Sequence, residues 1–269
     1  MSPGGQRWQT VGMRVASVQF SATTDVVANL ETIAPLVREA GRQGAELIVL
    51  PEASMHDFGK PDFPLGRAAQ PVDGPFGATI AELARESGTL VVAGMFERSD
   101  DPNRPFNTLV AFGPAGDLVA SYRKTYLYDS FGYRESDRLT AGEGSPVTIK
   151  TNELTLGLMT CYDLRFPEFA RLLVDADAEA LVVPAAWVRG PQKEDHWATL
   201  LRARAIENTC YLIAAAQTGP TYVGCSMVVD PMGVAIASLG AETGLVLADV
   251  SAERLADVRR TNPSLENRR

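Results

Sequence analysis

The 269-residue sequence predicts an α/β fold of two mixed sheets with helices on their outer faces. Strand-like and helix-like blocks alternate along the chain, and two hairpins interrupt the alternation and rule out a purely parallel sheet. Strand cores such as "LIVL" and "LVV" are apolar throughout, the pattern of sheets covered on both sides.

"MRVASVQF" reads as the first strand. Asp25 to Gln43 repeats apolar residues at helical spacing through Val26, Leu30, Ile33, Leu36, Val37 and Ala40, with Pro35 as a cost to continuity. "AELIVLPE" is a buried strand ending at Glu52, Gly74 to Ser87 a second helix, and "TLVVAGMFE" another strand. "NTLVAFGPAGDLVASYRK" reads as a hairpin turning at Gly113 to Asp117. "LTLGLMTC" is a strand ending at Cys161, followed by a helix over Phe166 to Val174 and the strand "ALVVPAAW". A helix over His196 to Asn208 precedes the strand "CYLIAAAQ". "CSMVVDPMGVAIASL" is a second hairpin, turning at Pro231 to Gly233. "GLVLADV" is the last strand, and Ser251 caps a last helix to Arg260. No linker, repeat or low-complexity stretch divides the chain, so residues 1–269 read as one domain, with a polar, Gly-rich and flexible segment over 1–12.

Composition narrows the function. A net charge of -8 and a pI near 4.9 argue against a nucleic-acid or anionic-membrane partner. No window reaches the roughly 18 apolar residues of a membrane span, and the N-terminus has no apolar signal core, so a cytoplasmic location is expected. Three widely spaced cysteines are not a disulfide framework, and two histidines without HExxH make no zinc site. There is no G-x-S-x-G elbow, no P-loop and no G-x-G-x-x-G after a strand. No metal and no cofactor is expected.

Three strands end in a reactive side chain: Glu52, Lys124 and Cys161. Ligands in α/β sheets tend to sit beyond the carboxyl ends of strands. Taken singly, such a Glu is a solvated loop residue, such a Lys faces solvent, and such a Cys is a small buried hydrophobe. The combination, in its local contexts, points the other way.

Those contexts carry a resemblance. "LIVLPE", "YRKTYLYD" and "TCYDLRFPE" resemble the three motifs of the nitrilase superfamily of carbon–nitrogen hydrolases. "PFNT", "HWATLLRARAIENTCYLIAA" and "SMVVDPMG" resemble further family blocks in the same order, so the resemblance covers nearly the whole chain. The third motif and "RARAIEN" look most like the amidase branch that includes omega-amidase and deaminated-glutathione amidase. The resemblance implies an α-β-β-α sandwich, a homodimer or larger homo-oligomer, and a small linear amide, carboxylate-bearing in some members, as substrate. It places Glu52 as general base, Lys124 as oxyanion partner and Cys161 as nucleophile, with release of ammonia or an amine through a thioester.

The resemblance also implies a second glutamate holding the lysine. Glu135 in "FGYRESD" is the candidate, with Glu143 as competitor, although "TAGEGSPV" reads as a turn before a strand. The backbone N–H of Tyr162 is expected as a second oxyanion donor. Arg165 is expected to meet a substrate carboxylate or else to pair with Asp163 or Glu168, and Trp187 and Tyr128 to touch substrate. Phe131 and Tyr133 are candidates for the same wall, and His196 reads as an anchor for its helix. Cys210 and Cys225 read as inert core. The chain has Gly224-Cys225 where many relatives have Gly-His, and a shortened "DSFGYRESDRLTAGEG" stretch. Nitrile hydrolysis and acyl transfer use the same three residues and stay open as alternatives. So does a non-catalytic binding protein, which intact Glu52, Lys124 and Cys161 weigh against. A redox thiol at Cys161 lacks a resolving cysteine nearby in sequence.

Overall fold

The computed structural model describes residues 12–269; the expected flexible segment, all but its last residue, lies outside them. In chain order the elements are β1 (Met13–Gln19), α1 (Val26–Arg42), β2 (Leu47–Val49), α2 (Pro75–Ser87), β3 (Leu90–Glu97), β4 (Phe106–Phe112), β5 (Leu118–Arg123), β6 (Asp129–Ser130), β7 (Tyr133–Arg134), β8 (Thr148–Lys150), β9 (Thr155–Leu158), α3 (Pro167–Asp175), β10 (Ala180–Ala185), α4 (Lys193–Asn208), β11 (Tyr211–Ala216), β12 (Met227–Val229), β13 (Ala235–Ser238), β14 (Gly244–Val250) and α5 (Ala252–Thr261).

One sheet has the strand order β14-β1-β2-β3-β4-β5 and the other β13-β12-β11-β10-β9-β8. Each has a parallel centre, β1-β2-β3 and β9-β10-β11, flanked by antiparallel strands. The pleat sends alternate residues to opposite faces. Val15, Leu47, Val49, Val92 and Leu109 enter the core shared with Leu156, Val182 and Ile213 of the second sheet. Their neighbours Ala16, Ile48, Val91 and Val110 pack instead with Ile33 and Val37 of α1 and Ile80 of α2. Phe169 and Leu173 of α3 and Trp197 and Leu201 of α4 join the core around the second sheet. The result is the α-β-β-α sandwich.

Helix α1 runs unbroken through Pro35, capped by Asp25, whose Oδ1 accepts from the N–H groups of Val27 and Ala28. An interior proline costs about 3 kcal/mol. The fully buried Ile33 and Val37 on its two sides each return about 1.5–3 kcal/mol, so packing outweighs the break. Strand β2 is shorter than its apolar run, because Pro51 has no N–H for the ladder and Ala53 turns the chain with φ +56°. Helix α4 starts at Lys193, three residues before His196; Glu194 and Asp195 suit the positive end of its dipole. The ribbon β6–β7 escaped the sequence reading because two residues a side carry no periodicity. Cys210 is core, as expected, whereas Cys225 is only half-buried. No helix among the described residues is long and apolar enough to cross a membrane.

Gly94 in β3 lies against the turn that carries Glu52. A Cβ there would stand 2.6 Å from the N of Ala53 and 2.8 Å from the Cα of Glu52. Both are backbone atoms, which cannot swing aside. Gly94→Ala is therefore expected to lower stability by about 1–3 kcal/mol and to displace Glu52. The urea midpoint measures the first effect; an unchanged midpoint would mean that the turn yields freely.

Candidate active site

Glu52 lies three residues beyond β2, Lys124 one beyond β5 and Cys161 three beyond β9. The sandwich brings all three to one place at the seam between the sheets, and Glu135 joins them on the short 3-10 turn after β7. Lys124 Nζ donates to Glu52 Oε1 at 2.9 Å and to Glu135 Oε1 and Oε2 at 3.0 and 2.9 Å. All three side chains are at most 2% exposed. Glu143, the competing glutamate, is exposed.

Donors from both sheets hold the Glu52 carboxylate. Asn107 Nδ2 from β4 donates to Oε1 at 2.7 Å, and the N–H of Ala186, just past β10, donates to Oε2 at 2.6 Å. Gln217 Nε2 donates to the carbonyl of Glu52 at 2.9 Å and so fixes the turn itself. Asn107 and Gln217 were not singled out from the sequence. The block "PFNT" held the signal for Asn107; nothing local marked Gln217. Glu135 accepts from the N–H of Tyr128, so the ribbon folds back to aim it at Lys124.

The electrostatics follow from burial. Burial alone would push the Lys124 ammonium down, but Glu135 and Glu52 outweigh it and hold its pKa well above the ordinary lysine value. Burial pushes Glu135 up, with Lys124 opposing. The Cys161 thiol is pushed well above its ordinary value, by burial first and then by Glu52, and the pull of Lys124 does not reverse this. Cys161 therefore rests as a neutral thiol that needs a base. A low-pKa redox thiol, one of the alternatives from sequence, loses its physical basis.

Cys161 has φ +45°, a left-handed conformation rare for a residue with a side chain. It opens a 3-10 helix, Cys161–Arg165, so the N–H of Tyr162 belongs to a first turn whose amides lack intrahelical acceptors. Asp163, fully buried, holds this turn. Its Oδ2 accepts from the N–H of Thr160 at 2.8 Å and the hydroxyl of Tyr122 at 2.7 Å, and its Oδ1 from the N–H of Tyr126 at 2.9 Å. Asp163 thus ties the cysteine turn to strand β5 and the loop that follows Lys124.

A cavity of about 680 Å³ opens over these groups, lined by Glu52, Lys124, Glu135 and Cys161. Tyr128, Phe131, Tyr133, Tyr162 and Trp187 line one aromatic wall of it. Arg165 packs against the rings of that wall. Its Nη2 donates to His196 Nδ1 at 3.2 Å, and its Cζ sits 5.0 Å from the centre of the Trp187 ring. Neither Asp163 nor Glu168 forms an ion pair with it among the described residues. The cation on the wall beside Trp187 is Lys193, which sequence reasoning missed. The Cys225 carbonyl accepts from Trp197 Nε1 at 2.9 Å, a structural contact away from the cavity lining.

Known proteins resemble this chain over nearly its whole length. The family model described as carbon-nitrogen hydrolase matches residues 14–260. A deaminated glutathione amidase of Escherichia coli O157:H7 is 42% identical over 260 residues, covering 96% of this chain and 97% of that protein. The structure of Saccharomyces cerevisiae Nit3, described as a member of branch 10 of the nitrilase superfamily, superposes with a TM-score of 0.85 at 28% identity, over 96% of this chain and 97% of that one. A mutant amidase from Nesterenkonia sp. AN1, with acrylamide added at its active-site cysteine, superposes with a TM-score of 0.78 at 28% identity, over 93% and 97%.

Asp163 supplies a pH test of this arrangement. Burial pushes its carboxyl up to about 6 from 3.8, against the pull of its three donors. A folded-state pKa above the unfolded one means that its contribution to stability is full below about pH 4 and lost as the pH rises through 6. The stability of wild type relative to Asp163→Asn should therefore fall by roughly 2–3 kcal/mol across that window. Urea unfolding of both proteins measures this, and a flat difference would show a carboxylate ionised throughout.

Proposed function

This chain belongs to the carbon–nitrogen hydrolase family, and from that premise we propose that it hydrolyses a small linear amide with Cys161 as nucleophile. The observation that carries the assignment is Lys124 clasped between Glu52 and Glu135 beside a neutral, buried thiol on one cavity wall.

Glu52 takes the thiol proton as the sulfur attacks the amide carbon, so no free thiolate has to persist in the buried site. The carbonyl oxygen becomes an oxyanion facing the Lys124 ammonium and the N–H of Tyr162. Collapse of this intermediate breaks the C–N bond. Glu52 returns the proton to the leaving nitrogen, which departs as ammonia or an amine, and a thioester to Cys161 remains. Glu52 then deprotonates a water that attacks the thioester. The second collapse frees the acid and restores the thiol. Glu135 holds Lys124 in place through both steps and keeps it charged. Tyr128, Tyr162 and Trp187 shape the cavity around the acyl chain.

We read residues 1–269 as one catalytic domain and the cytoplasm as its compartment, in keeping with three free cysteines. We also read the chain as a homodimer or larger homo-oligomer. Strand β13 ends its sheet, and Val234 and Ile236 are exposed there, with Ile206 of α4 exposed beside their turn.

The activity is tested by ammonia release from ω-amides of the glutaramate and succinamate type, α-keto-ω-amides, deaminated glutathione, aliphatic amides and nitriles. One amide class should respond, and Cys161→Ala should lower its rate by at least about 1000-fold. An electrophilic amide analogue should add to Cys161 by intact mass. Folded wild type that neither releases ammonia nor takes up the label would sink the assignment. Sedimentation velocity tests the assembly; a monomer at micromolar concentration would refute it.

A further inference from the structure

The proposed reaction uses Glu52, Lys124, Glu135 and Cys161 and leaves one buried cation of the cavity without a task. Lys193, the first residue of α4, is 5% exposed and lines the cavity with Trp187 and Tyr128. A buried ammonium normally has a carboxylate partner. Lys193 has none among the described residues, and its ammonium makes a single hydrogen bond, a long 3.3 Å donation to the hydroxyl of Tyr128. Three N–H donors are available on an ammonium, so two face the cavity with no acceptor among the described residues.

Three aromatic rings surround that ammonium. Its Nζ lies 4.6 Å from the ring centre of Phe131, 4.9 Å from Tyr128 and 5.1 Å from Trp187. Ring faces stabilise a cation in part and offer no hydrogen bonds. A second positive charge stands close by: the Arg165 guanidinium lies over the same Trp187 and Phe131 rings, and it too has no carboxylate partner among the described residues. Two like charges in one aromatic frame repel each other, and an anion set before Lys193 relieves both the repulsion and the missing acceptors. The other cavity cations are already engaged. Lys124 holds two glutamates, Arg138 donates to Tyr133 and to the carbonyls of Phe58 and Phe63, and Arg189 pairs with Glu194. The negative site groups Glu52 and Glu135 are both spent on Lys124.

We propose that Lys193 is the specificity-determining residue of this enzyme: it receives a carboxylate on the substrate chain, with Arg165 over Trp187 adding its charge, and so selects amides that carry a carboxylate over neutral amides. This rests on the amidase reading and names its substrate class.

Two measurements test it and separate its failure from that of the amidase reading. In the first, kcat/KM for glutaramate and for the neutral pentanamide is measured in wild type, Lys193→Met and Lys193→Arg. Lys193→Met should cost glutaramate about 10- to 100-fold, chiefly in KM, and leave pentanamide within about twofold; Lys193→Arg should recover most of the loss. An equal fall for both amides, or no fall for glutaramate, overturns the proposal while turnover itself upholds the amidase. In the second, glutarate is titrated by calorimetry into Cys161→Ala with and without Lys193→Met. Weakening of about tenfold or more supports the role of Lys193 even if no amide is turned over. Absence of glutarate binding, or binding that ignores Lys193→Met, overturns it. Circular dichroism on each variant confirms that the α4 start survives.

Discussion

Two buried carboxylates around one buried ammonium form the constraint on which this site depends. Glu52, Lys124 and Glu135 are withdrawn from water together, and each is tolerable there only because of the others. Leaving one member of a buried pair unpartnered typically costs 3–5 kcal/mol. The chemistry depends on the same balance. With two negative charges near it, Lys124 keeps its proton, and burial first, then those same charges, keep the Cys161 thiol neutral. Lys124 therefore stands as a fixed positive charge beside Glu52 and the Cys161 thiol.

Such a cluster needs a rigid frame, and the sandwich provides one by closing the site from two sheets. Lys124 and Asn107 reach Glu52 from the first sheet, and the N–H of Ala186 reaches it from the second. Asp163 performs the matching task for the cysteine, tying its turn to Tyr122 of β5 and to Tyr126. Positive φ angles at Ala53 and Cys161 mark where both chains leave their strands sharply to present a side chain. Such conformations cost of order 1–3 kcal/mol each and persist where the surroundings over-determine them. Here the surroundings are the close approach at Gly94 and the three donors on Asp163.

Much of this was legible in one dimension. Asp25 and Ser251 announced helix starts that the structure keeps, and Gly113 to Asp117 and Pro231 to Gly233 announced the turns. The candidate set was legible because Glu52, Lys124 and Cys161 each follow a strand in a distinctive local context, and the motif order pointed to Glu135; the structure brings these four together. Other residues carry no such mark. Gln217 looks like any polar residue after a strand, yet it crosses the sandwich to hold the Glu52 turn. The resemblance offered Arg165 as a carboxylate contact; only the structure shows its Nη2 donating to His196 and its guanidinium over the Trp187 and Phe131 rings.

The sequence by itself determined the layered architecture, the reactive residue types and their family, because periodicity, turn chemistry and motif order are local properties of a chain. Tertiary structure decided which groups face one another across the seam between the sheets. It put Ala186 on Glu52, Asp163 on Tyr122 and the Lys193 ammonium among Phe131, Tyr128 and Trp187. Those partners lie 134, 41 and 6 to 65 residues apart in the chain. Over most of such separations no local preference fixes a pairing; it is fixed when the two sheets bury their shared face and the polar groups buried with it take what partners the fold brings near.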